Sequence, residues 1–196
     1  MRPIYQKEKS FFLKPTGVLI LLNAIVYAIF SIVGKNFIEI DFYLLASFGQ
    51  VNVLVLEGDY WRLFTSLFVH ANILHLLGNL FFLLIFGLRS EDLFNNKNYM
   101  MVYLSSGLVG NLLTLLGDPN LISIGASGAI FGLFGASVIY IRRNIGQSII
   151  GALIYSFYIF IMNIGVNVNL LSHFGGLVVG LVIGYLLSRN VFVKTE

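Results

Sequence analysis

One stretch of 45 consecutive residues, 144–188, contains no Asp, Glu, Lys or Arg. Soluble domains devote roughly a quarter of their residues to charged side chains, so this stretch cannot supply a water-exposed surface. The whole chain of 196 residues is 58% apolar and only 11% charged. This composition excludes a soluble enzyme and a disordered chain, and it excludes reading the pI of 9.2 as a sign of nucleic-acid binding. The sequence therefore predicts an integral membrane protein with a single domain.

Apolar segments separated by short polar breaks predict an all-α, polytopic bundle of six transmembrane helices. A helix needs roughly 20 mostly apolar residues to cross ~30 Å of hydrocarbon. We expect a basic tail at residues 1–16, a membrane domain at 17–188 and a second tail at 189–196. The first segment lacks a small-residue cleavage site, so we interpret it as an anchor and not as a signal peptide. The six segments are residues 18–33, 63–88, 99–116, 127–141, 146–164 and 170–187.

The basic residues predict the orientation of these helices. Cytoplasmic loops of membrane proteins carry an excess of Lys and Arg. With six helices and the N-terminus inside, all but two of the 12 basic residues fall on the inner side, the exceptions being Lys35 and Arg62. We therefore expect a multi-pass protein of the cell membrane with both termini in the cytoplasm. The net charge of +3 then needs no nucleic-acid partner.

Three polar residues are predicted to lie at one depth in the membrane. His75, Ser127 and His173 lie roughly 14, 15 and 16 residues before the basic residues that end helices two, four and six on the inner side. At a rise of 1.5 Å per residue, these spacings are about 21 to 24 Å. Asn79 follows His75 by four residues and shares its helix face. Polar groups inside a membrane are expensive, which makes these residues candidates for function.

Helix four, at residues 127–141, is predicted to be short and buried. Fifteen residues cover only about 22 Å, so the polar residues 119–126 before it would enter the membrane as a loop. Such a loop is tolerated only where protein buries it or where it lines a water-filled cavity. Ser127 would then lie at a helix N-terminus, where free N–H groups and the helix dipole can stabilise an oxyanion.

Small residues predict that helices four and six pack closely. A spacing of four between small residues allows two membrane helices to approach each other. If these ridges face each other, Ser127 and His173 meet, and the imidazole can take the serine proton as the hydroxyl attacks a carbonyl. No carboxylate lies at this depth, so we expect a dyad and not a triad. The two ridges are Gly128, Gly132 and Ala136 on helix four, and Gly176, Gly180 and Gly184 on helix six.

Several short motifs follow one another between residue 61 and residue 187. They are Trp61-Arg62, His70, His75-x-x-x-Asn79, Glu91, Gly125-Ala126-Ser127-Gly128, and His173-Phe174-Gly175-Gly176 followed by Gly180. The combination of these motifs, in the correct helices, is more specific than any one of them. In this combination the sequence resembles the rhomboid intramembrane serine proteases.

The resemblance implies a serine endopeptidase that needs no cofactor. Ser127 would be the nucleophile and His173 the general base, with His75, Asn79 and the Ser127 N–H forming the oxyanion hole. The substrate would be a transmembrane segment of another protein, surrounded by membrane lipids and reached by water from the outer side.

The resemblance also implies supporting roles for further residues. Gly125 and Gly128 belong to the serine motif, and Gly176 follows the histidine. Many family members have Tyr four residues after the serine, whereas this chain has Phe131, which can stack on the histidine but has no hydroxyl. Residues 34–60 would lie partly in the outer leaflet, and helix five with residues 165–169 would gate and cap the site.

Three other interpretations fit parts of the sequence. A metal site from His70, His75 and His173 lacks a His-Glu-x-x-His motif, a nearby carboxylate and any cysteine. A small transporter would explain polar residues inside the membrane, but the spans carry no charge to couple to an ion and show no inverted repeat. A rhomboid-like protein that binds membrane segments without cutting them usually lacks the Ser or the His, and this chain has both.

Overall fold

The computed structural model describes residues 10–162 and 168–192, and this part of the chain is almost entirely helical. Residues 1–9 and 193–196 of the expected tails, and most of the expected cap at 165–169, lie outside the described residues. Two-residue strands, β1 (Gln50–Val51) and β2 (Ile122–Ser123), form the sheet. The helices in chain order are α1 (Pro15–Val33), α2 (Phe42–Phe48), α3 (Asn52–Leu56), α4 (Arg62–Thr65), α5 (Ile73–Leu93), α6 (Asn96–Thr114), α7 (Ser127–Asn144), α8 (Ile149–Met162) and α9 (Leu170–Phe192).

Three helices within the described residues are long and apolar enough to cross a membrane. They are α1, α5 and the Leu170–Arg189 part of α9. Each keeps less than half of its span buried inside the protein. Large apolar side chains such as Ile29 and Ile32 on α1 and Phe81 on α5 remain more than half exposed. An apolar surface of this kind is what lipid tails cover in a membrane protein.

The centre of the fold is α7, which contacts α5, α6, α8 and α9. Every residue from Gly128 to Ser137 is buried, as expected for helix four. The helix begins at Ser127, the predicted residue, but it continues to Asn144 and not to residue 141. Its 18 residues give a length of about 27 Å, so it is longer than predicted. Gly146 follows the C-cap residue Ile145 and has a φ of +67°, the left-handed conformation that commonly terminates helices.

The two ridges of small residues face each other between α7 and α9, as predicted. A Cβ placed on Gly176 would overlap the carbonyl oxygen of Gly128. One level further down, a Cβ on Gly180 would overlap the carbonyl oxygen of Gly132. The third level repeats the arrangement with Gly184 and Ala136. The backbones therefore touch directly, which fixes α9 against α7 along three turns.

The prediction of one helix over residues 63–88 was wrong. Residues 62–65 form α4, and a 3-10 turn, Ser66–Phe68, follows it. The chain is then extended until Asn72, whose side-chain oxygen accepts a hydrogen bond from the His75 N–H at 2.8 Å and caps α5. Apolar composition indicates that a segment is shielded from water, but it does not distinguish a helix from a buried turn.

The segment between α1 and α5 reaches the residues that precede Ser127. β1 pairs antiparallel with β2, with Gln50 opposite Ser123 and Val51 opposite Ile122. β2 ends four residues before Ser127, so this pairing holds the approach to α7.

Arg62 is the residue that holds this segment together. Its Nη1 donates hydrogen bonds to the carbonyls of Ala46, Ser47 and Gly49 at 2.7 to 3.0 Å. Its Nε donates to Asp59 at 2.8 Å. The guanidinium therefore satisfies the carbonyls at the end of α2, next to β1.

Candidate active site

Ser127 occupies the first helical position of α7, after Ala126 at the cap. The first N–H groups of an α-helix have no partner within the helix, and the positive end of the helix dipole lies there. The Gly125 N–H just before the helix donates to the Ser66 carbonyl at 2.9 Å, which holds this loop against the 3-10 turn. The loop thus presents the Ser127 hydroxyl and a set of backbone donors at the same place.

Gly125 brings the loop next to His75 and Asn79. Its φ is +112°, a conformation that residues with a side chain rarely adopt. A Cβ at this position would lie 2.9 Å from His75 Nε2 and 3.9 Å from Asn79 Nδ2. Only glycine therefore allows the backbone, two residues before Ser127, to approach these two side chains.

His173 lies on the first turn of α9 and faces Ser127. Its Nε2 is 2.7 Å from Ser127 Oγ, which is a hydrogen-bond distance. The imidazole stacks on Phe131, with ring centroids 4.6 Å apart and an interplanar angle of 29°. Its Nδ1 is buried and has no hydrogen-bond partner among residues 10–162 and 168–192. In this part of the chain the ring is therefore oriented by stacking, without the carboxylate that completes a Ser-His-Asp triad.

His75 and Asn79 lie one turn apart on α5 and line the same cavity as Ser127. The Asn79 amide donates one hydrogen bond to the His75 carbonyl at 2.9 Å, and its second N–H is left for another acceptor. His70 is buried beside them, with its ring edge-to-face against His75 at 5.1 Å. Within the described part of the chain, no group of three or more His, Cys, Asp or Glu residues is arranged to hold a metal ion.

A cavity of about 1130 Å³ connects these groups. Its walls come from α5, from the loop containing β2, from α7 and from the start of α9. Most of the lining is apolar, and the side chains of Ser127, His173, His75 and Asn79 are among its few polar groups. A mostly apolar cavity with a small cluster of polar groups is typical of a site that binds and orients an apolar chain.

Asn169, which the sequence predicted only as the end of the loop 165–169, is a residue of the candidate site, and its role as a helix cap was not predicted. Its side-chain oxygen accepts a hydrogen bond from the Ser172 N–H at 3.0 Å, and the residue lines the cavity. An Asn directly before an apolar helical segment is a recognised N-cap signal, which would have identified it. By contrast, Gly128 and Gly176 lie where the ridges predict them, at the closest approach of α7 and α9.

Comparison with known proteins identifies relatives. The sequence model of the Rhomboid domain matches residues 57–190. RHOMBOID-like protein 6, mitochondrial, of Arabidopsis thaliana is 37% identical over 140 residues, which are 68% of this chain and 46% of that protein. YdcA of Bacillus subtilis, provisionally named a rhomboid protease, is 34% identical over 141 residues, 69% of this chain and 71% of that protein.

A third relative, the rhomboid protease GluP of Bacillus subtilis, is 30% identical over 191 residues, which are 90% of this chain and 35% of GluP. The chain thus spans less than half the length of two of these three relatives. The domain match, the relatives and the apolar helices agree, and the chain is a membrane protein that belongs to the rhomboid family.

Proposed function

We propose that this protein is an intramembrane serine endopeptidase that hydrolyses peptide bonds in or near the transmembrane segments of other proteins. The observation that carries the proposal is the 2.7 Å separation of Ser127 Oγ and His173 Nε2 at the start of a buried helix, in a cavity of about 1130 Å³. Relatives that are named as rhomboid proteases support the same reaction.

The proposed reaction uses the dyad twice. As Ser127 Oγ attacks the carbonyl carbon of the substrate, its proton moves to His173 Nε2. The tetrahedral intermediate collapses when the C–N bond breaks, and His173 returns the proton to the leaving nitrogen. A water molecule then attacks the acyl carbon on Ser127 while His173 takes the proton from the water. The C–Oγ bond breaks as His173 returns this proton to Ser127 Oγ, which restores the dyad. His173 has to be neutral to begin each half of the cycle.

The oxyanion hole in this proposal consists of the Ser127 N–H, His75 Nε2 and the Asn79 amide. The short approach between the Gly125 backbone and both side chains supports this assignment. Donors that are already in place at a helix N-terminus can stabilise the developing negative charge without reorganising.

The proposal places this chemistry inside a membrane. Helices α1 and α5–α9 would be the six spans of one domain over residues 17–188, with both termini in the cytoplasm and the cavity opening to the outer side. An intact substrate helix hides its carbonyls in its own hydrogen bonds, so the segment that is cut has to unwind. The cavity wall along α5, from His75 down to Phe86, offers room beside the dyad for such a segment.

A cleavage assay in detergent micelles tests the proposal. Wild type, Ser127→Ala and His173→Ala would each be mixed with several model transmembrane substrates, with and without a metal chelator. Ser137→Ala is the matched control, because Ser137 is a buried serine on the same helix whose hydroxyl pairs with Ser90 at 2.9 Å, away from the cavity.

We expect cleavage by wild type and Ser137→Ala, with or without chelator, and none by the two dyad variants. Cleavage that survives Ser127→Ala but stops with the chelator would instead favour a histidine metal site. Absence of cleavage by folded wild type across all the substrates would favour a protein that binds membrane segments without cutting them.

A further inference from the structure

Asn169 caps the helix that carries His173. Its side-chain oxygen accepts from the Ser172 N–H at 3.0 Å, and its backbone carbonyl accepts from the His173 N–H at 3.1 Å. An Asn at this position satisfies donors that the first helical turn leaves free. The cap therefore determines where the first turn of α9 begins, and His173 lies on that turn.

The amide group of the same side chain binds two other elements. Asn169 Nδ2 donates to Ser123 Oγ on β2 at 2.6 Å and to Thr114 Oγ1 at the end of α6 at 2.9 Å. Both N–H groups are therefore used, and Thr114 is itself fixed because its hydroxyl donates to the Gly110 carbonyl at 3.1 Å. Ser123 precedes Ser127 by four residues. A single side chain thus connects the turn that carries His173 to the strand that leads into Ser127.

Few other contacts of the His173 side chain fix the position of its ring. Its Nδ1 has no hydrogen-bond partner in residues 10–162 and 168–192, and its ring is held by stacking on Phe131. Stacking fixes the plane of the ring but permits sliding parallel to that plane. In a Ser-His-Asp triad a carboxylate would limit this movement. In this protein the position of the backbone in the first turn of α9 has to limit the movement of the ring.

We propose that Asn169 is a positioning residue, which sets the distance between His173 and Ser127 by tying the first turn of α9 to β2 and α6. This inference rests on the proposed serine protease function. Asn169 itself takes no part in bond making or breaking, and it acts through the place that it gives to His173.

Two substitutions separate the connection from the cap. Asn169→Ser keeps a side-chain oxygen that caps helices well, but its short hydroxyl cannot reach both Ser123 and Thr114. Ser123→Ala removes one acceptor and leaves the cap untouched. Asn120→Ala is the matched control, since Asn120 precedes the same strand and its side chain is exposed.

Two rates would be measured at a temperature at which all variants are folded by circular dichroism. The first is the rate at which a fluorophosphonate, a general reagent for activated serines, labels Ser127. The second is the steady-state cleavage of a model transmembrane substrate, analysed as kcat and KM separately.

We expect Asn169→Ser and Ser123→Ala each to lower both the labelling rate and kcat about tenfold, with KM within about twofold of wild type. The double variant should be little worse than either single variant, because both remove the same connection. Asn120→Ala should behave as wild type.

Three results would overturn this inference. Unchanged labelling and kcat in folded Asn169→Ser would show that the residue only stabilises the fold. A raised KM with unchanged kcat would make Asn169 a substrate contact. If the fluorophosphonate labels folded wild type no faster than Ser127→Ala, the proposed protease function itself is wrong. This outcome is distinguishable from the other two because it is observed without any substitution of Asn169.

Discussion

Gly180→Ala should loosen the packing of α7 against α9 and lower the stability of the protein. A Cβ at this position would overlap the Gly132 carbonyl oxygen and lie 2.7 Å from the α-carbon of Gly132, where 3.4 to 4 Å is an ordinary van der Waals distance. The backbones would have to separate by about 0.7 Å to clear that carbon, and by more to clear the oxygen. Overpacking of this kind costs about 1–3 kcal/mol.

The same separation should reach the dyad. Gly180 is seven residues, or about 10 Å, from His173 along a continuous helix. A tilt or shift of α9 by several tenths of an ångström would lengthen the 2.7 Å distance between Ser127 Oγ and His173 Nε2. We therefore expect kcat to fall more than KM rises, since misplacement of reacting groups is costly.

Reversible unfolding in mixed micelles, followed by circular dichroism, measures the free energy of unfolding of this variant. Gly78→Ala on α5 is the matched control, because a Cβ there meets nothing within 4 Å. The control should be as stable as wild type or slightly more stable, since Ala favours the helix over Gly. If Gly180→Ala is as stable as Gly78→Ala and as active as wild type, the inferred close approach of the α7 and α9 backbones is wrong.

Two further predictions concern the surroundings of the dyad. Gly125→Ala should lower kcat in the cleavage assay by about 100-fold, because its Cβ would lie 2.9 Å from His75 Nε2 in a backbone conformation that alanine rarely adopts. A kcat equal to that of wild type would contradict the close approach of the Gly125 backbone to His75. Arg62→Lys should lower the free energy of unfolding by about 2 kcal/mol, since one ammonium cannot donate to three carbonyls and to Asp59. Arg89→Lys is the control, because the side chain of Arg89 is half exposed. An equal loss of stability in both variants would refute the role of Arg62 in holding its segment together.

The sequence predicted those contacts of the candidate site that depend on helix geometry. The start of α7 at Ser127 followed from the polar loop before it, and the meeting of the two ridges followed from the spacing of small residues. The close approach of Ser127 and His173 followed from counting 1.5 Å per residue along two helices that run in the same direction. Each of these predictions needs only the regular geometry of α-helices.

The parts that the sequence did not predict depend on contacts between distant, irregular segments. A two-residue strand such as β2 has no detectable period, and its partner β1 lies about 70 residues earlier. Asn72 and Asn169 cap their helices, and neither cap was predicted from the sequence. The break between α4 and α5 was missed because the turn between them is buried inside the protein, and a buried turn can be as apolar as a buried helix.

The proposed function depends on the activation of Ser127 by His173, which can be measured by covalent labelling of the serine. Folded protein in micelles would be treated with a fluorophosphonate, and the modified residue would be located by mass spectrometry. We expect one phosphonyl adduct, on Ser127, which is absent in Ser127→Ala and forms far more slowly in His173→Ala, while Ser137→Ala reacts like wild type. An adduct on Ser127 that forms as fast in His173→Ala as in wild type, or no adduct on Ser127 at all, would show that His173 does not activate Ser127.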